Sequence, residues 1–255
     1  MIKTLLARIK QGYRTMPFPA KSDMLPERFL GKPRILFDAC SSACDQCKKI
    51  CPVAAIDGHG KALALDLGKC IFCGECQKTC PRQAISFTRE YALAQRHKDD
   101  LVIREHLRAK ETESRKTIRN IFGRSLKLRQ VSAGGCNACE LDINVLNTPG
   151  FDLGRFGIQF VASPRHADGI VVTGPVTQNM ELALVKTYAA VPAPKLVIAI
   201  GACAVSGGIY AGNAEVTGGA AAHLPVDLYI PGCPPHPLTI LDGLLRVMGR
   251  KFARH

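Results

Sequence analysis

The spacing of cysteine in the first third of the chain constrains it most. The run Cys40-Ser-Ser-Ala-Cys44-Asp-Gln-Cys47-Lys-Lys-Ile-Cys51-Pro52 is followed by Cys70-Ile-Phe-Cys73-Gly-Glu-Cys76-Gln-Lys-Thr-Cys80-Pro81. Residues 35 to 90 are thus an internal repeat, each block closing in Cys-Pro and then Ala-Ile, as Cys51-Pro-Val-Ala-Ala-Ile56 and Cys80-Pro-Arg-Gln-Ala-Ile85. Duplicated blocks predict a pseudo-symmetric small domain, with too little apolar mass to fold without metal. Two-residue spacers let consecutive thiolates wrap one face of a cubane while backbone N–H groups point at its sulfurs. The second block is the bacterial ferredoxin run, whose fourth cysteine serves the other cluster. By that crossed rule, cluster 1 takes Cys40, Cys44, Cys47 and Cys80, and cluster 2 takes Cys51, Cys70, Cys73 and Cys76. In the first block three residues separate Cys40 from Cys44, a one-residue bulge that cluster 1 must absorb. A structural zinc pair also accepts Cys-x-x-Cys. The crossed spacing and the two Cys-Pro endings count against it.

The chain holds 12 cysteines, and those outside the repeat are Cys136, Cys139, Cys203 and Cys233. Each lies just past a predicted strand or in a glycine-rich turn, so three loops at one sheet edge could converge on a third cluster. The alternative is that some are inert buried thiols. Gly134, Gly135, Gly201, Gly207, Gly208 and Gly232 would let backbone approach a bulky inorganic core. The N-terminal residues interrupt their apolar run with Lys3, Arg8 and Lys10 and offer no small-residue cleavage site, so no secretory signal is expected. In a reducing compartment clustered cysteine means metal ligation rather than disulfides.

At 255 residues, 47% of them hydrophobic, the chain is long enough for two domains with real cores. Residues 1–28 form an extension. Its first 14 residues place Ile2, Leu5, Leu6 and Ile9 on one helical face among Lys3, Arg8, Lys10 and Arg14. Such a helix can lie on anionic lipid, on a partner, or on its own domain. Pro17, Pro19 and Pro26 should separate it from anything compact. Residues 29–92 are the two-cluster domain, and 93–124 a basic, helix-compatible connector. In residues 125–255 apolar strand-like runs (126–131, 158–162, 170–173, 196–200, 226–230) alternate with helix-like ones (138–146, 179–190, 238–248). That alternation predicts an α/β fold with a mainly parallel sheet, its site at the strand C-termini.

The uncharged stretch 196–214 is rich in Gly, Ser and Ala, and reads as a buried strand and turn rather than a membrane span. The formal charge of +13 is the kind of footprint nucleic-acid binders leave. Three cubanes with their thiolates would bring about −6 and leave about +7. The remaining basic excess, between Arg89 and Arg129, is interleaved with acidic residues and few aromatics, so nucleic acid is not expected.

Beyond these derivations lies a specific resemblance. Gly134-Gly-Cys-Asn-Ala-Cys139-Glu140, Ser163-Pro-Arg-His-Ala-Asp168, Thr173-Gly-Pro-Val-Thr177, Gly201-Ala-Cys203, Ser206-Gly-Gly-Ile209 and Pro231-Gly-Cys-Pro-Pro235 resemble the small subunit shared by formate-hydrogenlyase-type membrane-bound [NiFe] hydrogenases and respiratory complex I. Phe29-Leu-Gly-Lys-Pro33 and Leu67-Gly-Lys-Cys70-Ile-Phe-Cys73-Gly-Glu-Cys76 resemble the two-cluster ferredoxin-like subunit of the same complexes. The chain reads as a fusion of the two. The resemblance implies a flavodoxin-like domain whose proximal [4Fe–4S] cluster, on Cys136, Cys139, Cys203 and Cys233, faces a large catalytic subunit. In complex I the first two proximal ligands are adjacent, whereas Asn137 and Ala138 intervene here, which favours the hydrogenase branch.

The expected function is therefore an electron-transfer subunit with three [4Fe–4S] clusters, peripheral on the inner face of the cytoplasmic membrane. Its expected partners are a large NiFe-type subunit, other complex-I-like subunits including membrane ones, and a soluble electron donor or acceptor. The alternative is the equivalent subunit of a complex-I-like quinone or other oxidoreductase without hydrogenase activity. Every cysteine is used, so catalysis on hydrogen belongs to the partner. Glu140 could relay protons or be an ordinary helix-start carboxylate. Arg165 and His166 resemble an interface loop placing positive charge near the cluster, and His236 could tune its potential.

Overall fold

The computed structural model describes residues 2–19, 24–41, 43–105 and 124–250. Most of the expected connector, 106–123, lies outside the described residues.

The repeat folds as two matching turns. Helices α2 (Gln46–Ile50) and α3 (Glu75–Thr79) each follow a cysteine run, pack on each other, and end at the cysteine that precedes proline. Ala54 and Gln83, three residues after those cysteines, both adopt positive φ, +47° and +49°. Around them lie strands β1 (Pro33–Ile35), β2 (Ile56–Asp57), β3 (Ala64–Asp66), β4 (Ile85–Phe87) and β5 (Val102–Ile103). β1 pairs antiparallel with β4, and β2-β3-β5 form a second antiparallel sheet. Residues 93–105, which charge alone assigns to a helical connector, therefore belong to the folded body. Leu101 is fully buried, β5 closes the β3 edge, and Gln95 exchanges both backbone hydrogen bonds with Tyr229.

The second unit is built on strands β6 (Leu126–Ser132), β7 (Ile158–Phe160), β8 (Gly169–Thr173), β9 (Leu196–Ile200) and β10 (Leu228–Ile230). They lie in the order β7-β6-β8-β9-β10, every pair parallel. Numbered within the sheet this is 2-1-3-4-5, the flavodoxin-like order, whose ligand crevice opens beyond the strand C-termini where the order reverses. Every residue of β8, β9 and β10 is buried, as a parallel sheet covered on both faces requires. On one face Leu126, Leu128, Val171, Ile198 and Ile230 meet helices α4 (Ala138–Val145) and α7 (Pro237–Val247). On the other, Val131, Ile170, Val172 and Val197 meet Leu184 of α5 (Gln178–Ala190) and Val205 of α6 (Ala202–Ser206). That second core runs on without a break into Leu65, Leu67 and Leu101 of the repeat. The stretch 196–214 folds as β9, α6 and turns, and no described helix is long and apolar enough to cross a membrane.

The N-terminal extension departs from expectation. Helix α1 (Ile2–Gln11) forms and buries none of its residues, but the prolines after it do not hold the chain away from the body. Met16, Phe18 and Leu25 pack with Phe29, Tyr91, Phe151 and Leu238. Met16 N–H donates to the Gly150 carbonyl at 2.6 Å, and Arg89 donates to the Leu25 carbonyl. Proline punctuates the backbone, but the apolar side chains between the prolines still seek burial.

Candidate metal centres

The repeat's cysteines fall into two cavities. Cys40, Cys44, Cys47 and Cys80 line one, with Arg82, Ala84 and Ile85 at its wall. Cys51, Cys70, Cys73 and Cys76 line the other, beside Ile56, Leu65 and Phe87. In both, the cysteine before proline crosses to the other block's three. Ala55 N–H points at Cys51 Sγ and Ala84 N–H at Cys80 Sγ, each at 3.2 Å, and Phe72 N–H approaches Cys70 Sγ at 3.3 Å. Such donors stabilise anionic sulfur.

The other four cysteines meet at the sheet's C-terminal edge. Cys136 and Cys139 follow β6, Cys203 lies in α6 after β9, and Cys233 follows β10. The thiols are close enough to sense one another: ionisation of Cys139 is disfavoured by Cys203, Cys233 and Cys136, that of Cys203 by Cys233 and Cys136, and that of Cys233 by Cys136. Glycine makes the approach possible. A Cβ on Gly201 would stand 2.5 Å from Cys139 Sγ, and one on Gly208 2.7 Å from Cys203 Sγ. Asn137 takes φ +71° to turn the chain from β6 into α4, which is how a spaced Cys-x-x-Cys delivers both thiols to one rim.

The donor chemistry fits iron–sulfur cores. Burial pushes the Cys70 thiol up to about 12 and those of Cys76 and Cys203 up to about 11, with neighbouring thiols adding to the effect. Cys139 is driven higher still, by burial first and then by Glu140. Four such thiolates side by side need a cationic core to hold them ionised. Here the core would sit among short N–H donors and a cradle that a single Cβ would fill.

The neighbouring polar residues divide. Glu140, in the first turn of α4, is buried and accepts hydrogen bonds at 2.6 Å from both Ser132 Oγ and Thr173 Oγ1. Those hydroxyls on adjacent strands pin the helix start over the β6–β8 crevice, a partnership that spacing alone does not reveal. His236 Nδ1 accepts from Leu238 N–H at 3.2 Å and caps α7, with its ring edge-on to Phe29. Arg165 and His166 are not brought to the thiols. Their turn, capped by Ser163, enters β8 beside Lys127, at the N-terminal end of the strand ladder, because β7 ends level with Leu128. Ser206 opens the Ser206-Gly-Gly-Ile209 motif, but the motif did not reveal its partner: its Oγ donates to the Gly68 carbonyl at 2.9 Å. It ties the Cys203 helix to the turn that leads into Cys70.

Two family profiles each match a part of the chain. A "4Fe-4S dicluster domain" matches residues 32–100, and "NADH ubiquinone oxidoreductase, 20 Kd subunit" matches 136–247. A probable membrane-bound hydrogenase subunit, mbhJ, of Pyrococcus furiosus is 45% identical over 125 residues, 49% of this chain and 74% of that protein. The chain belongs to the 20 kDa subunit family of NADH ubiquinone oxidoreductase. In this member the family's domain is joined to a dicluster ferredoxin-like domain, as the two motif sets had implied. A subunit of the NADH-quinone oxidoreductase of Citrifermentans bemidjiense is 47% identical over 117 residues, 46% of this chain and 68% of that protein. Formate hydrogenlyase subunit 7 of Escherichia coli is 45% identical over 126 residues, and the chain spans about half of its length, 49%. Members of this family are subunits of oxidoreductase complexes, and this one is an iron–sulfur electron-transfer subunit.

Proposed function

We propose that the chain holds three [4Fe–4S] clusters: cluster 1 on Cys40, Cys44, Cys47 and Cys80, cluster 2 on Cys51, Cys70, Cys73 and Cys76, and a proximal cluster on Cys136, Cys139, Cys203 and Cys233. The observation that carries this is the sorting of all the cysteines into those groups by cavity lining and mutual electrostatics. When bound, the clusters supply one-electron redox centres. The protein's part is to hold them in sequence. Cys70 lies two residues from Gly68, which Ser206 bonds from the helix of Cys203, so cluster 2 is the neighbour of the proximal site.

The subunit serves a group-4-type [NiFe] hydrogenase complex, passing electrons to or from a nickel–iron centre on a large partner. The spaced Cys136 and Cys139 and the hydrogenase relatives support this over a complex-I-like quinone oxidoreductase. The large subunit would cover the proximal edge, where Cys136 and Cys233 are exposed beside the exposed apolar residues Leu141, Ile209 and Tyr210. The complex would place this chain peripherally on the cytoplasmic face of the membrane. Residues 29 to about 105 form the two-cluster unit, because β5 completes its sheet, and residues 125–255 the proximal unit.

Iron and acid-labile sulfide analysis tests the cofactors, since three cubanes give about twelve of each per chain. Hydrogen-dependent reduction of the clusters in the purified complex tests the chemistry. Reduction by a quinol or NADH system with no response to hydrogen would favour the quinone-type alternative.

A further inference from the structure

The described chain leaves the apolar face of α1 uncovered. Ile2, Leu5, Leu6 and Ile9 keep 76%, 63%, 60% and 70% of their surface exposed. At 3.6 residues per turn they fall within an arc of about 100°, with Lys3 and Lys10 along one flank and Arg8 along the other. Between residues 1 and 22 the chain carries Lys3, Arg8, Lys10, Arg14 and Lys21 and neither Asp nor Glu. Just past the helix Tyr13 is 87% exposed, with the Arg8 guanidinium 5.3 Å over its ring. The chain is then fixed to the body. Met16 bonds Gly150 at 2.6 Å, Arg155 Nη2 bonds the Met16 carbonyl at 2.5 Å, and the Phe18 ring meets Phe156 edge-on at 5.7 Å. Only residues 12–15 separate the helix from that anchor.

We propose that α1 is a membrane-surface foot, lying in the plane of an anionic phospholipid leaflet with its apolar stripe among the upper acyl chains. A helix of 10 residues is far too short to span the bilayer, so it must lie along it. Cations on both flanks of the stripe are where Lys and Arg stems reach past the apolar zone to headgroup phosphates. An aromatic at the helix end suits the same interfacial layer. The uniform positive sign decides for lipid over a protein groove. A leaflet bearing negative charge complements every charged residue of the segment at once. The short tether means that the leaflet would also set the orientation of the sheet domain, since the anchor lies beside the 150–156 turn.

This deepens the peripheral placement proposed above, yet uses none of the cluster assignments. The test is vesicle flotation of the full chain with its clusters in place, using phosphatidylcholine alone or with phosphatidylglycerol added. Binding to the anionic vesicles should be tighter by about tenfold or more and weaken with salt. The exposed double substitution Leu6→Gln/Ile9→Gln should abolish it without altering iron content. Lys3→Gln/Arg8→Gln/Lys10→Gln should erase the preference for anionic lipid. Equal binding to both vesicle types, or unchanged binding by the double variant, overturns the proposal. If the wild type ignores vesicles while α1 is protected from hydrogen exchange inside the detergent-solubilised complex, a protein partner covers the helix. The lipid reading then falls while the peripheral subunit assignment stands.

Discussion

The two halves of this chain solve the problem of holding iron in opposite ways. In the sheet domain the scaffold precedes the site: β8, β9 and β10 are buried on both faces, and the cysteines stand at its rim, Cys136 and Cys233 exposed on loops and Cys139 and Cys203 in the first turns of α4 and α6. In the repeat domain the cysteines are part of the core itself. Cys47, Cys70 and Cys76 are buried among Ile56, Leu65 and Ile85, and no strand there exceeds three residues. A scaffold of that kind cannot close without its ligands, whereas the flavodoxin-like sheet can.

The largest effect expected from this contrast is on removal of iron. Chelation under reducing conditions should abolish hydrogen-exchange protection in β1 to β5 while amides of β8 and β9 stay protected. Loss of protection in both halves together, or in neither, would break the comparison. Within the repeat, Cys70→Ala should act like partial chelation, costing cluster 2 and loosening β3 and β5.

Next in size is a change confined to the rim. Gly201→Ala introduces a Cβ 2.5 Å from Cys139 Sγ at a backbone φ of +92°. The variant should fold and retain clusters 1 and 2, but lose the proximal cluster, so iron falls by about four atoms per chain. Full iron content in a folded Gly201→Ala protein would show that Cys139 is not a ligand.

How legible all this was differs between the halves for the same reason. The strands of the sheet were readable because burial on both faces demands continuous apolar runs. Leu196–Ile200 was anticipated to the residue, and helices at 138, 179 and 238 to within one or two. The grouping of the repeat's cysteines around two cavities was readable from spacing, since turn geometry is local. Long-range placement was not. No periodicity signals that Leu101 and Gln95 fold back onto β3 and β10, because charged neighbours such as Lys98, Asp99 and Asp100 dominate the segment. The loop carrying Arg165 and His166 was misplaced because a motif does not say how far its preceding strand runs, and β7 is only three residues long.

The joint between the halves should give a smaller effect. Ser206→Ala removes the bond to Gly68, a turn with no room for a side chain because a Cβ there would stand 2.9 Å from Val205. One partly buried hydrogen bond contributes about 1 kcal/mol. Iron content should therefore be unchanged, while opening of the repeat, read by hydrogen exchange at β3 and β5, becomes about fivefold more frequent. No change in exchange would mean that the shared apolar core alone holds the two units together.

The smallest effect is expected at His236. Its Nδ1 can accept from Leu238 N–H only while that nitrogen is unprotonated, and burial lowers its pKa below the ordinary 6.5. A lowered folded-state pKa means that the cap contributes fully above the ordinary value and is lost as the pH falls through the folded one. The neighbouring Phe29 ring offers no charge to compensate. His236→Ala should cost about 0.5 kcal/mol near neutrality, and His236→Asn, which can still cap, less. Denaturant titrations at descending pH would check the sign. The wild type should converge on the alanine variant in acid while the asparagine variant keeps its advantage. A constant gap between wild type and alanine across the same range would assign His236 to packing against Phe29 rather than to the cap.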